Sequence, residues 1–259
     1  MPKNSNLLPH PAISQPVGQP FTILSSVEST NNYAMRQVQE GMASHGAAWF
    51  ALEQTAGKGQ RGKQWSSSPN MNIIISIVLE PGSLQAHQQF LLSATVALAC
   101  YDFFAKYAGS ETSVKWPNDL YWRDRKAGGI LIENNFYGSQ WQYAIAGIGI
   151  NINQTNFGDH LPNAVSLGQI TGLHYDPARL ARELCSALEI RYRELQKEDH
   201  ISIISNYRQV MYKRDCSVKL KKENAVFETT VRGITEDGRL LTEDVLERTF
   251  EFGEVEWLI

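Results

Sequence analysis

Apolar positions along this chain change period several times, and each change marks an element. Residues 21–24 (Phe-Thr-Ile-Leu) form a first short apolar patch and predict a strand. Ser29-Thr30-Asn31 stand just before Tyr33-Ala-Met-Arg-Gln-Val, which has helical character. Ser29 or Thr30 is therefore the expected N-cap, its side-chain oxygen accepting from an unpaired backbone N–H of the first turn. Residues 47–52 are a short apolar run suited to a buried strand. Residues 73–79 give the strongest strand signal, being rich in β-branched side chains. Residues 91–107 predict a helix, with Leu91, Leu92, Val96, Leu98, Ala99 and Phe103 making a broad apolar face. Residues 113–116 and 120–122 bracket a turn at Pro117-Asn118-Asp119. Residues 130–133 and 141–153 read as two more strands. Asp176-Pro177 opens a long helix to about residue 197, with Asp176 as cap and proline at the first helical position.

From about Arg214 the pattern becomes all-β. Residues 218–220, 227–231, 240–242 and 250–252 predict short strands, with turns at Lys222-Glu223-Asn224 and at Asp237-Gly238. Mixed strands and helices followed by strands alone point to an α+β domain with a small β appendix. The first 20 residues carry Pro2, Pro9, Pro11, Pro16 and Pro20 and predict an extended or disordered lead-in. The expected division is 1–20 lead-in, 21–212 main domain and 213–259 β unit.

Composition narrows the function classes. With 42% hydrophobic and 20% charged residues among 259, the chain is ordinary globular protein. Its net charge of -3 supplies no global basic field for nucleic acid. Cys100, Cys185 and Cys216 are far apart and in no CxxC pair, which argues against a disulfide scaffold or a thiolate zinc site. The six histidines are scattered without metal-ligand spacing. No signal peptide and no membrane-spanning run is evident, so a cytoplasmic location and no membrane partner are expected.

Four segments carry candidate chemistry. In Gln54-Thr-Ala-Gly-Lys-Gly-Gln-Arg-Gly-Lys-Gln-Trp65, glycines would let backbone N–H groups approach an anion, and Lys58, Arg61 and Lys63 add charge. Neither a P-loop nor a Rossmann fingerprint fits it. A solvated surface loop would have the same composition; Trp65, able to cover a ring, favours a binding role. The second segment runs from Lys115-Trp-Pro-Asn-Asp119 to Lys126-Ala-Gly-Gly129 and Glu133. It is either a hairpin with a charged tip or a site in which Lys126 and Asp119 meet a ligand beside the glycine pair. Gly147-Ile-Gly-Ile-Asn151 marks a close approach to the strand, by a ligand or by another backbone. Ser29-Thr30-Asn31 can cap a helix and present donors at once.

Joined in this order, these segments resemble the biotin–protein ligases, the biotin–[acetyl-CoA carboxylase] ligase family. The resemblance covers about residues 22–259. It implies an α+β catalytic domain, with helices on a mixed, mainly antiparallel sheet, followed by a small C-terminal SH3-like β-barrel. It implies that biotin is activated with ATP to biotinyl-AMP and passed to a lysine of a biotin carboxyl carrier protein or domain. Ser29, Thr30, Asn31, Gln54, Gly57, Lys58, Lys126, Gly129 and Gly149 would then meet biotin. Gln60, Arg61, Lys63, Trp65, Asn118, Asp119, Lys126 and Asn151 would line the ATP side. Lys126, Lys58 and Arg61 would carry the catalysis. Mg²⁺ is expected to arrive with ATP, with Asp119 the one side chain placed to approach it. Lys58, Gln60 and Lys63 stand where the family usually has basic residues, arginine at the two lysine positions, and lysine lacks the bidentate fork. Only 28 residues precede Ser29, so no DNA-binding domain is expected. The resemblance leaves monomer and homodimer open. The competing readings are a lipoate–protein ligase, a non-catalytic biotin- or nucleotide-binding regulator, and a nucleic-acid module built on the β unit.

Overall fold

The computed structural model describes residues 15–159 and 161–258. Strand β1 (Phe21–Leu24) leads to helix α1 (Thr30–Gln39), β2 (Ala48–Ala51) and β3 (Asn72–Leu79). Helix α2 (Gln89–Ala108) follows, then β4 (Thr112–Lys115), β5 (Asp119–Trp122), β6 (Arg125–Tyr137) and β7 (Gln140–Asn151). Helices α3 (Leu167–Thr171), α4 (Pro177–Leu195) and α5 (His200–Gln209) close the first unit. Its sheet has seven strands in the order β1-β2-β3-β7-β6-β5-β4; β1 and β2 run parallel and the other neighbours antiparallel. This is the mixed, mainly antiparallel α+β architecture that the alternation of elements implies.

The layers follow from burial. Every residue of β3 is buried, because helices cover both faces of the sheet. Ile73, Ile75, Ile77 and Leu79 enter the main core on one side, where α4 packs on the strand. On the other, Val78 packs with Ile145 against Ala34 and Val38 of α1. Helix α2 is long and apolar enough by composition to cross a membrane, but here it is the central core helix, packed on α4, α5 and the sheet. Cys100 and Cys185 lie in this core, and burial pushes the Cys185 thiol up to about 12.

Strands β8 (Ser217–Lys222), β9 (Ala225–Ile234), β10 (Leu240–Glu243), β11 (Glu247–Phe250) and β12 (Glu256–Leu258) form one antiparallel sheet in the order β11-β10-β9-β8-β12. It is compatible with a small barrel-like unit. Trp116 Nε1 donates to the Gly238 carbonyl at 2.9 Å, and Arg208 bonds the Ile234 carbonyl, so the two units are docked.

Several expectations needed correction. Of the lead-in, residues 1–14 lie outside the described residues. Residues 15–20 are neither disordered nor apart: Val17 is buried, its N–H donates to Glu189 at 2.8 Å, and Gly18 N–H donates to the Gly46 carbonyl. A single apolar side chain among the prolines anchors the stretch. The strand expected at 250–252 ends at Phe250, and Phe252 lies in the turn before β12. Helices α3 and α5 and strand β12 were not predicted, being short and weakly periodic.

Candidate active site

The site is one face of the large sheet, and the pleat decides which side chains stand on it. Along β7, Ala144, Ala146, Ile148 and Ile150 enter the core, so Ile145, Gly147, Gly149 and Asn151 face the other way. Register carries the same face across the sheet. Ile74 and Ser76 lie opposite Gly149 and Gly147; Gly129, Leu131 and Glu133 lie opposite Gly149, Gly147 and Ile145; Asp119 lies opposite Gly129, and Lys115 opposite Asp119. Helix α1 covers one end of this face. Beyond its N-terminus lies a cleft of about 1040 Å³.

At the α1 end the walls are neutral and hydrogen-bonded. Ser29 is the N-cap, its oxygen accepting from Asn32 N–H at 3.4 Å. Gln54 Oε1 accepts from Thr30 N–H at 2.8 Å and lies 3.1 Å from the Thr30 hydroxyl. Ser76, fully buried, donates to Asn31 Oδ1 at 2.6 Å and lies 2.8 Å from Thr30 Oγ1. Asn31 spends both amide protons inside the protein, on the Leu131 carbonyl (3.2 Å) and on Glu133 Oε2 (2.8 Å). Its carboxamide sits on Gly147, where a Cβ would come within 2.1 Å of Oδ1. Within this wall the unspent donors are the Ser29 hydroxyl and the Gln54 amide, a set suited to a neutral polar acceptor.

Toward β4 the walls become cationic. Lys126 Nζ stands 2.6 Å from Asp119 Oδ1, and Lys58 Nζ 3.6 Å from Glu133 Oε1. Lys63 and Lys115 join them in the lining. Trp65 lies over the strands: a Cβ on Gly149 would be 2.5 Å from its ring, and one on Gly129 3.5 Å. Its buried indole N–H has no acceptor among the described residues. Asn118 Nδ2 donates to the Ile130 carbonyl, holding the turn that follows the cis Trp116-Pro117 bond. Asn151 Nδ2 donates to the Val165 carbonyl at 3.1 Å. The far wall comes from the β unit, through Phe252, Val255 and Trp257 among others.

A family model described as the biotin/lipoate A/B protein ligase family matches residues 23–151. The bifunctional ligase/repressor BirA of Bacillus subtilis is 30% identical over 225 residues, which is 85% of this chain and 67% of that protein. The chain belongs to the biotin/lipoate protein ligase family. A biotin–[acetyl-CoA-carboxylase] ligase of Paracoccus denitrificans is 38% identical over 135 residues, 50% of this chain and 53% of that one. In fold, the chain is similar to the biotin protein ligase of Aquifex aeolicus in complex with biotin and ATP, with a TM-score of 0.77 at 24% identity, covering 91% of this chain and 97% of that one.

Within this ligase-family cleft, nearly all of the residues singled out in the sequence come together. Ser29, Thr30, Asn31, Gln54, Lys58, Gln60, Arg61, Lys63, Trp65, Asn118, Asp119, Lys126, Gly129, Gly149 and Asn151 all line it. One expectation shifts. Gly57 is not in the lining; it is buried where a Cβ would strike Gln54 Nε2 and the Trp65 carbonyl at 2.3 Å. Its small size lets the loop fold on itself. Arg61, expected to help order the loop and to take part in catalysis, donates to the Gly253 carbonyl at 2.8 Å and ties the loop to the β unit. Ser76, Glu133, Lys115 and the β-unit wall were not singled out. Ser76 left one signal, a hydroxyl inside a β-branched run. Glu133 and Lys115 were visible only as members of motifs, and nothing local marks the β-unit residues as cleft-lining.

Proposed function

We propose that this chain is a biotin–protein ligase, activating biotin with ATP to biotinyl-AMP and passing the acyl group to a lysine on a biotin carboxyl carrier protein or domain. The observation that carries this is the polarity of the cleft. One end offers neutral donors, Ser29 and Gln54, for the ureido group of biotin, and the other offers lysines for carboxylate and phosphate. A biotin carboxylate oxygen attacks the α-phosphorus of ATP and pyrophosphate leaves. Both reactants are anions, so their repulsion is the barrier the site must lower. Lys126 and Lys58 would do this. Each is paired with the protein's own carboxylate, and each would exchange that partner for a substrate oxygen. In the second step the neutral amine of the carrier lysine attacks the acyl carbon, the bond to the phosphate oxygen breaks and AMP leaves. The loop at 57–65 would cover the mixed anhydride and keep water from it, with Arg61 tying it to the β unit.

Magnesium enters this reading as the ion that travels with ATP. Among the described residues no group of three His, Cys, Asp or Glu side chains could cage a metal. Asp119, the carboxylate expected to approach it, is engaged by Lys126. The residues do not fit a resident metal, and no step above runs through one.

The test is direct. Purified protein incubated with biotin and MgATP should yield biotinyl-AMP by mass spectrometry and should label a carrier domain; failure of both removes this function. Biotin, and not lipoate, should raise the thermal midpoint.

A further inference from the structure

Lys115, the last residue of β4, stands in the cleft wall and has no part in the steps above. Its ammonium lies 5.1 Å from the centroid of the Tyr121 ring and 5.6 Å from that of Trp257. The Tyr121 hydroxyl at 3.4 Å is its hydrogen-bond partner, and among the described residues no carboxylate comes within the 4.0 Å of an ion pair. Lys58 and Lys126, in the same cleft, are both paired. The charged groups that face Lys115 are Asp119 from β5, Lys126 from β6, Lys63 from the loop and Glu256 from β12. Burial lowers its pKa to about 8; the two lysines push the same way, and Asp119 and Glu256 oppose them. Burial keeps the Tyr121 phenol protonated beside it.

A half-buried cation without a counter-ion is costly. Two aromatic faces offset part of that cost, and its three ammonium protons meet only one acceptor among the described residues. Position suggests what takes the rest. From β3, where the neutral donors cluster around Ser76, to β4 the sheet steps through β7, β6 and β5. At the usual strand spacing that is about 19 Å, longer than biotin and its carboxylate need. Lys63, Lys115 and Lys126 converge at this far end, where one α-phosphate would not match their charge. We infer that Lys115 is a further substrate-contacting residue, whose ammonium receives the β- and γ-phosphates of the nucleotide, the group that leaves as pyrophosphate.

This rests on the adenylation reading above, and biotin-dependent ATP–pyrophosphate exchange separates the two. Without exchange in the wild-type protein, the function fails and takes this inference with it. With exchange present, Lys115→Met should raise KM for ATP about tenfold or more, as expected for a lost charged hydrogen bond. Inhibition by inorganic pyrophosphate should weaken by a similar factor, and biotin affinity without nucleotide should stay within about twofold of wild type. Lys115→Arg should restore most of the ATP affinity. In the wild type, kcat/KM for ATP should fall as pH rises through about 8, where Lys115 loses its proton; in Lys115→Arg that fall should vanish. An unchanged KM for ATP in Lys115→Met, or a matching loss of biotin affinity, overturns the inference. If Lys115→Met proves unfolded, the Lys115→Arg profile decides, and an alkaline fall that persists there overturns it equally.

Discussion

Gly147→Ala is the sharpest test of how the site is built. The new Cβ would lie 2.1 Å from Asn31 Oδ1, 2.7 Å from its Cγ and 2.9 Å from its Nδ2, so the whole carboxamide must move. A mobile side chain could swing aside cheaply. Asn31 cannot, because it is 4% exposed and holds hydrogen bonds to Leu131, Glu133 and Ser76. Two of these are neutral and contribute about 0.5–1.5 kcal/mol each; the bond to Glu133 is charged and contributes about 1.5–3 kcal/mol. The lower ends apply, since Glu133 is 33% exposed. Replacing glycine returns about 0.4–1 kcal/mol through the unfolded chain. The expected net loss is about 1.5–2 kcal/mol, or roughly 3–8 °C in Tm for a chain near this size. The biotin-induced rise in Tm should shrink, because Thr30 and Ser76 share the displaced network. Urea unfolding and thermal shift with and without biotin measure both effects. A double-mutant cycle adds specificity: in an Asn31→Ala background, Gly147→Ala should cost less than about 1 kcal/mol. A Gly147→Ala protein within about 0.5 kcal/mol of wild type, responding normally to biotin, would refute the packing argument.

Three further outcomes are expected. Lys126→Ala should abolish biotin-dependent ATP–pyrophosphate exchange while its urea midpoint stays near wild type, because the side chain is 36% exposed; near-normal exchange would remove Lys126 from the mechanism. Gly57→Val should disorder the loop, since even a Cβ would meet Gln54 Nε2 and the Trp65 carbonyl at 2.3 Å; biotin affinity, read by titration, should drop at least tenfold, as expected from loss of the Gln54 contact and its neighbours. His45 is buried with its Nε2 unpartnered among the described residues, its Nδ1 accepting from Glu80 N–H at 3.2 Å, and burial lowers its pKa to about 4. Against an unfolded value near 6.5, the unfolded chain binds more protons between about pH 4 and 6.5. Stability from this group is therefore full above about 6.5 and is lost as pH falls toward 4, by roughly 3 kcal/mol. The stability cost of His45→Gln, measured by urea unfolding, should shrink from pH 7 to pH 4.5; a cost that does not change with pH would contradict it.

What the sequence by itself determined was local. The β-branched run became β3, the Ser29 cap and the Asp176-Pro177 start opened their helices where expected, and Asp237-Gly238 turned its hairpin. Each of these depends on backbone and side-chain preferences within a few residues, which is why they can be read from a string. Alternation in Gly147-Ile-Gly-Ile-Asn151 even held the two-faced design of β7, isoleucines inward and glycines toward the site. Nearly all of the residues that the family motifs singled out likewise line the cleft. Only the tertiary structure decided who answers whom. That Lys126 meets Asp119, that Glu133 holds both Asn31 and Lys58, and that Lys115 is left between two aromatic rings depends on strand register and on the pleat. That the β unit walls the cleft and receives Arg61 depends on how two sheets dock, with partners 192 residues apart in the chain. Burial and charge pairing are properties of three-dimensional neighbours, and no local preference in the sequence encodes them.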